Sequence, residues 1–402
     1  MALGKCFLLV CLGLIALVSS AQNRSAVSYF EKGEEALKHK SYKTALAHFN
    51  ECLRLNPYYY DAYYSRALTR ESLGDKQGAL NDYNIYLESK PEDKEALFAR
   101  AVGRYDYGQW AVAKEDFLKL LTMPAGGETN TVYFQTDQSA DGETKAFTAH
   151  HDLTATVLNY LGLIETKLKN YPQALLYFDS AIHIHSRNPD YYLNRGIARL
   201  QAGDSAKAIL DFEETLALNP ESSLARHNLA VLKKSKGNLD ETEKLLSEAI
   251  EKNPKQPYSY AERGLLRMQA GNLKGALEDY TVAIRLDPAD ADYWLNRGII
   301  KEQSKDLHGA LADYKQVITL KPDYEKGWLN HGNALVKLNR LAEAIEDYTV
   351  AITYYPEYGL AYYNRGLTYH RLHKKIEACK DLEQAKKFGT QIEPKVMSTI
   401  CK

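Results

Sequence analysis

Two histidine groups are the first residues in this 402-residue sequence whose types and spacing suggest chemistry. His150, His151 and Asp152 are consecutive and carry metal-ligating atoms, but adjacent side chains seldom converge on one ion, so they read as part of a connecting segment. His370 and His373 share a helical face at i, i+3; no third ligand accompanies them, and a solvated helix end is expected. The sequence has no glycine-rich phosphate loop, no Gly-x-Ser-x-Gly, no His-Glu-x-x-His and no Cys-x-x-Cys. No catalytic residue, cofactor or metal site follows, and the expectation is a protein that is not an enzyme.

Charged residues offer a stronger pattern. An Arg stands before a small residue at Arg66, Arg100, Arg195, Arg263, Arg297 and Arg365, and an Asp follows sixteen residues later at Asp82, Asp116, Asp211, Asp279, Asp313 and Asp381. Such a row of Arg would suit an acidic ligand. Where the Arg is missing, at Leu161 and Leu229, the Asp is missing too, at Tyr177 and Leu245. Arg and Asp thus appear and vanish together, which favours structural pairs between two helices over a ligand site. His331 with Asp347 fits in part; Lys32 with His48 does not. A row of amides, Asn194, Asn228, Asn296, Asn330 and Asn364, is the candidate for binding, since each offers both donors and an acceptor. The same amides could instead satisfy neighbouring backbone.

These residues sit on a 34-residue period. Small residues recur at Ala45, Ala79, Ala113, Ala174, Ala208, Thr242, Ala276, Ala310, Ala344 and Ala378, every interval being 34 except one longer by 27. Four residues on comes an apolar anchor: Phe49, Tyr83, Phe117, Phe178, Phe212, Leu246, Tyr280, Tyr314, Tyr348 and Leu382. Twelve residues before each small residue stands Gly or Ala, from Gly33 and Ala67 to Gly366. Small residues on both helices let them cross closely, and the anchor fills the space beside the crossing. Gly74, Gly108, Gly203, Gly237 and Gly271, with Asn339 in the same role, end the first helix in a left-handed cap. Pro57, Pro91, Pro220, Pro254, Pro288, Pro322 and Pro356 then start the next unit.

This pattern resembles the tetratricopeptide repeat, over residues 26–392. The third unit, with Pro124 one place early, and the tenth, which ends at Phe388-Gly389 without Pro, depart from it. The resemblance implies an all-α, right-handed solenoid of about ten helix-turn-helix repeats, three over 26–127 and seven over 155–392, with a short tail at 393–402. Length alone would suggest two or three domains; the repeats imply one solenoid. The resemblance also implies a partner held along the first helices, where an Asn at the place of Asn194 often bonds a ligand's main chain. The Lys/Asn/Arg set by which some relatives clamp a terminal carboxylate is not matched, since Tyr64, Phe98, Leu193 and Leu295 stand there.

Residues 128–154 interrupt the period. Thr129–Phe134 and Thr144–Thr148 are rich in strand formers around Ala140-Asp141-Gly142-Glu143, so a protruding β-hairpin is expected. Residues 1–21 read as a signal peptide: Lys5, an apolar run from Cys6 to Val18, and Ser19 and Ala21 before a cut after Ala21. Thirteen apolar residues are short for a membrane span, and no later segment approaches twenty, so no transmembrane segment is expected in the mature chain. Cys52, Cys379 and Cys401 then remain, too few for a disulfide framework. Cys52 and Cys379 fall where sister repeats carry apolar residues and are expected as buried thiols, with a Cys379–Cys401 bridge as the alternative in an oxidising compartment. The 51 basic and 52 acidic residues include no like-charged block of six, leaving no electrostatic case for nucleic acid or anionic lipid. The resulting expectation is an exported scaffold, periplasmic or secreted, bacterial-looking, which binds a peptide segment or helix in its groove. An adaptor for an envelope protease or assembly machine and a glycan-binding module are the alternatives.

Overall fold

The computed structural model describes residues 23–123, 131–136, 144–149, 153–235 and 237–401. Within them lie 21 helices and two strands, and two compact units divide the chain near residue 214. The first unit holds α1 (residues 23–38), α2 (Tyr42–Leu55), α3 (Tyr60–Ser72), α4 (Lys76–Ser89), α5 (Lys94–Asp106), α6 (Trp110–Thr122), α7 (Thr154–Lys167), α8 (Tyr171–Ile184) and α9 (Pro189–Gln201), with most of α10 (Ser205–Leu218). The second holds α11 (Ser223–Ser235), α12 (Leu239–Lys252), α13 (Pro257–Gln269), α14 (Leu273–Leu286), α15 (Ala291–Gln303), α16 (Leu307–Leu320), α17 (Glu325–Lys337), α18 (Leu341–Tyr354), α19 (Gly359–Arg371), α20 (Lys375–Lys387) and α21 (Pro394–Cys401). The fold is an all-α array of helix pairs with a small β-hairpin. Each helix packs mainly on its sequence neighbours, so the array needs no core shared along its length.

Turn chemistry sets the helix ends. Asp75, Asn272 and Asp306 cap the second helices of their pairs, each side chain accepting from the backbone N–H three residues on. Each first helix ends in a left-handed residue. Gly74, Gly108, Gly203, Gly237 and Gly271 take φ near 80°, but the same place in other repeats holds Lys40, Lys169, Lys305, Asn339 and His373 at φ of 56–67°. A Cβ there costs roughly 1 kcal/mol against its own backbone, and all five of these side chains are exposed.

The ten anchors from Phe49 to Leu382 are all buried, each contributing about 1.5–3 kcal/mol through burial. Their room comes from the small residue across the helix pair. A Cβ added to Gly298 would lie 2.5 Å from Cε1 of Tyr314, and one on Gly33 would lie 2.5 Å from Cε1 of Phe49. Buried tyrosines still need a partner for the hydroxyl. Tyr83 donates to Glu71 (3.0 Å), Tyr314 to Glu302 (2.8 Å) and Tyr348 to Asn333 (2.8 Å). Burial pushes the Glu71 carboxyl up to about 7, against the lowering effect of the Tyr83 hydroxyl.

The insertion contains β1 (Thr131–Thr136) and β2 (Thr144–Ala149), paired antiparallel from Thr131 opposite Ala149 to Thr136 opposite Thr144. The signal peptide, its cleavage site, Pro124 and the His150-His151-Asp152 group lie outside the described residues. Cys52 is a buried thiol, with its pKa pushed up to about 11 by burial. Cys379 departs from the buried-thiol expectation: it is half-buried and bonded to Cys401. The sister positions Leu46, Leu175, Leu277 and Ile345 are half-buried too, and at Cys379 the segment beyond residue 392 packs on α20 as α21.

Candidate protein-binding face

The row of Arg on the first helices is fully engaged. In the first unit the guanidinium of Arg66 donates to Asp82 (2.8 and 2.7 Å), Arg100 to Asp116 (3.0 and 2.7 Å) and Arg195 to Asp211 (3.2 and 2.7 Å). In the second, Arg263 donates to Asp279 (3.0 and 2.7 Å), Arg297 to Asp313 (2.8 and 2.7 Å) and Arg365 to Asp381 (2.7 and 2.9 Å). The Asp side chains are only 2–7% exposed. In five of the six, Nη1 also reaches back to the preceding second helix, at Asn50, Asn84, Asp179, Ser247 and Thr349. An aromatic ring three residues earlier lies beneath the guanidinium at Tyr63, Tyr192, Tyr260, Trp294 and Tyr362, 4.9–5.9 Å away. Planar Arg suits this role, because its fork can hold a carboxylate while its face stacks on a ring.

A second cation, not singled out in the sequence, completes most of these sites. Arg70, Arg104, Arg199, Arg267 and Lys301, each four residues after its Arg, contact the same Asp at 2.6–3.0 Å. They share the 34-residue period, and that was the available signal. His331 meets Asp347 at 2.7 Å. In repeat four the charge pattern is inverted: Glu165 occupies the second-cation place, paired with Lys114 of α6 and accepting from Asn170 of its own repeat. Repeat six carries Leu229, nearly buried, in place of Arg.

The amide row is less uniform. All five Asn are half-buried on first helices. Asn194 donates to Asn159 of α7 (3.0 Å) and Asn364 to Asn333 of α17 (2.8 Å), while Asn330 donates to the backbone oxygen of Lys326 in its own helix (2.9 Å). Asn228 and Asn296 make no side-chain hydrogen bond among the described residues. These two keep both donors and an acceptor available. His370 and His373 are exposed, His373 in the left-handed turn, and the described residues contain no cluster of three His, Cys, Asp or Glu fit for a metal.

His227, next to Asn228, packs edge-on against Tyr258 with ring centroids 4.5 Å apart, and its Nδ1 lies 3.2 Å from the Ser259 hydroxyl. Burial pushes its pKa down to about 4, opposed by Glu262. The folded state therefore holds the ring neutral where the unfolded chain would be protonated, so its contribution is present above about pH 6.5 and lost as pH falls toward 4. Partial solvent access limits this to roughly 2 kcal/mol. Thermal melts from pH 7 to pH 4 should fall more steeply for the native protein than for His227→Gln, and parallel curves would contradict the assignment.

Helix pairs with a small-residue crossing, an apolar anchor and a left-handed first-helix end recur on one period in both units. Family models described as tetratricopeptide repeat or TPR repeat match residues 30–94, 154–187, 199–262, 264–305, 291–324, 332–372 and 360–388, which together exceed half of the chain. The chain belongs to the tetratricopeptide repeat family. Superkiller protein 3 of Schizosaccharomyces pombe is 22% identical over 240 residues, 59% of this chain and 16% of that protein. Tetratricopeptide repeat protein 16 of Mus musculus is 26% identical over 164 residues, 41% of this chain and 19% of its own length. The matched regions thus span less than a fifth of either relative. Among solved structures, a chain of the APC/C hetero-tetramer Cut9-Hcn1 is 14% identical with a TM-score of 0.46, covering 94% of this chain and 96% of that one. Tetratricopeptide repeat proteins serve as protein-interaction scaffolds and are generally non-catalytic. No helix among the described residues is long and apolar enough to cross a membrane.

Proposed function

We propose that this tetratricopeptide repeat protein is a non-catalytic scaffold of the cell envelope, exported with residues 1–21 removed, that binds a peptide segment or helix of a partner along its first helices. The observation that carries the binding surface is the state of the amide row. The Arg on these helices are consumed by Asp of the second helices, whereas Asn228 and Asn296 are half-buried with unspent donors and acceptors. An amide held in this way can bond a main chain regardless of its sequence. The Cys379–Cys401 bond supports an oxidising compartment, where disulfides persist. A second reading, an adaptor that recruits another protein to an envelope machine, draws on β1 and β2, a two-stranded sheet whose outer edges have no strand partner among the described residues.

Replacing Asn228 and Asn296 together by Ala removes two anchors at little cost to folding. With each hydrogen bond worth about 0.5–1.5 kcal/mol, capture of a groove-bound partner should weaken roughly tenfold at an unchanged melting temperature. Asn194→Ala and Asn364→Ala should instead lower stability, because each strips a neighbouring Asn of its partner. Capture that survives the first pair of substitutions would move the binding surface elsewhere.

A further inference from the structure

The helix α21 rests on α20 through three apolar residues. α21 has eight residues, about two turns, which is too short to persist alone in water. Ile400 is its one buried residue, and Val396 and Met397 are partly covered against Ala378 and Leu382 of α20. A covalent bond is added to this packing: Cys401, the last residue of α21, is bonded to Cys379 on α20 across a separation of 22 residues. Both cysteines are half-buried and line an open depression with Lys375, Lys380 and Glu383. An incoming thiol therefore has access to the sulfurs. Beneath α21 lie Ala378 and Leu382, the small residue and anchor of repeat ten, which share a buried cluster with Ile400.

We infer that Cys379–Cys401 is a reducible latch: a dithiol reductant opens it, α21 leaves α20, and the face of α20 beneath it changes from closed to open. In the first step a reductant thiolate attacks one sulfur, forming a mixed disulfide, and the other leaves as a thiolate that takes up a proton. The reductant's second thiol then attacks the mixed disulfide. The chain ends with two thiols and the reductant with one disulfide, two electrons having passed between them. The Lys375 and Lys380 ammonium groups beside the depression favour a departing thiolate, whereas Glu383, whose carboxylate lies 3.8 Å from Sγ of Cys379, opposes one at that sulfur. Opening the latch leaves α21 held by Ile400, Val396 and Met397 alone, and its departure uncovers Ala378 and Leu382.

The test is amide hydrogen exchange, followed by mass spectrometry, on the full chain before and after treatment with dithiothreitol. Peptides from 392–401 should lose protection on the order of a hundredfold on reduction, while those from α15 to α18 stay unchanged. Cys401→Ser and Cys379→Ser should each match the reduced protein and no longer respond to dithiothreitol. Equal protection of α21 with and without the bond would overturn the inference. So would a loss spread evenly from α15 to α20, which would make the bond a staple of the whole unit.

Discussion

Asp313→Leu should destabilise the second unit by about 3–5 kcal/mol, the cost of leaving buried charge without its counter-ion. Two cations depend on this carboxylate: Arg297 through two hydrogen bonds and Lys301 at 2.8 Å, with side chains only 14% and 19% exposed. Neither has an equivalent carboxylate to turn to. Arg297→Leu alone should cost less, since Asp313 keeps Lys301. Replacing Arg297, Lys301 and Asp313 together by Leu should recover much of the loss, because apolar residues already occupy two of these places in repeat six, at Leu229 and Leu245. Urea unfolding of the single, paired and triple variants measures the coupling. Losses that simply add would show that the three residues act independently.

Gly298→Leu should cost about 3 kcal/mol or more, by overpacking rather than by lost charge. The first added carbon would lie 2.5 Å from Cε1 and 2.8 Å from Cδ1 of Tyr314, which is fully buried. The ring cannot swing aside freely, because its hydroxyl donates to Glu302, which is also paired with Lys337. Gly298→Ala should cost less, about 1–2 kcal/mol. Repeats two and three carry Ala67 and Ala101 at this place and still bury Tyr83 and Phe117. Urea midpoints of the two variants give the comparison, and a Leu variant as stable as the native protein would show that the crossing has slack.

The helix pairs were legible because their cause is steric and repeats with the chain: a crossing that excludes Cβ atoms demands Gly or Ala, and the residue beside it must be large. The Arg and Asp partners were legible because both are lost together in repeats four and six. The second cation was not. A Lys or Arg near a helix C-terminus also reads as a solvated charge answering the helix dipole, so Arg70 or Lys301 carried two explanations until the Asp was seen between the helices. The amides were legible as a row, but not in their commitments. Asn194 and Asn364 bond to Asn159 and Asn333, on the first helix of the preceding repeat, and a period alone does not say which neighbour turns toward them. Cys379 misled by analogy. Its sister positions Leu80, Leu311 and Ile345 are apolar, but Ile345 is only half-buried, and a place of that kind leaves a sulfur within reach of Cys401.

The first-helix pairing has a consequence for how the chain is made. Hydrogen bonds and ion pairs between helices such as Lys337–Glu302, Asn194–Asn159 and Arg371–Val336 join residues 35 apart, and Lys114 reaches across the insertion to Glu165. Low separation of this kind favours rapid, local assembly. A newly synthesised repeat can dock on its predecessor without waiting for distant segments, and duplication or deletion of a whole repeat leaves the remaining bonds in register. The insertion can lengthen as well, since the entropy of closing a loop grows only slowly with its length. The sequence between α6 and α7 is therefore where evolution can add new surface to this array with the least disturbance to its folding.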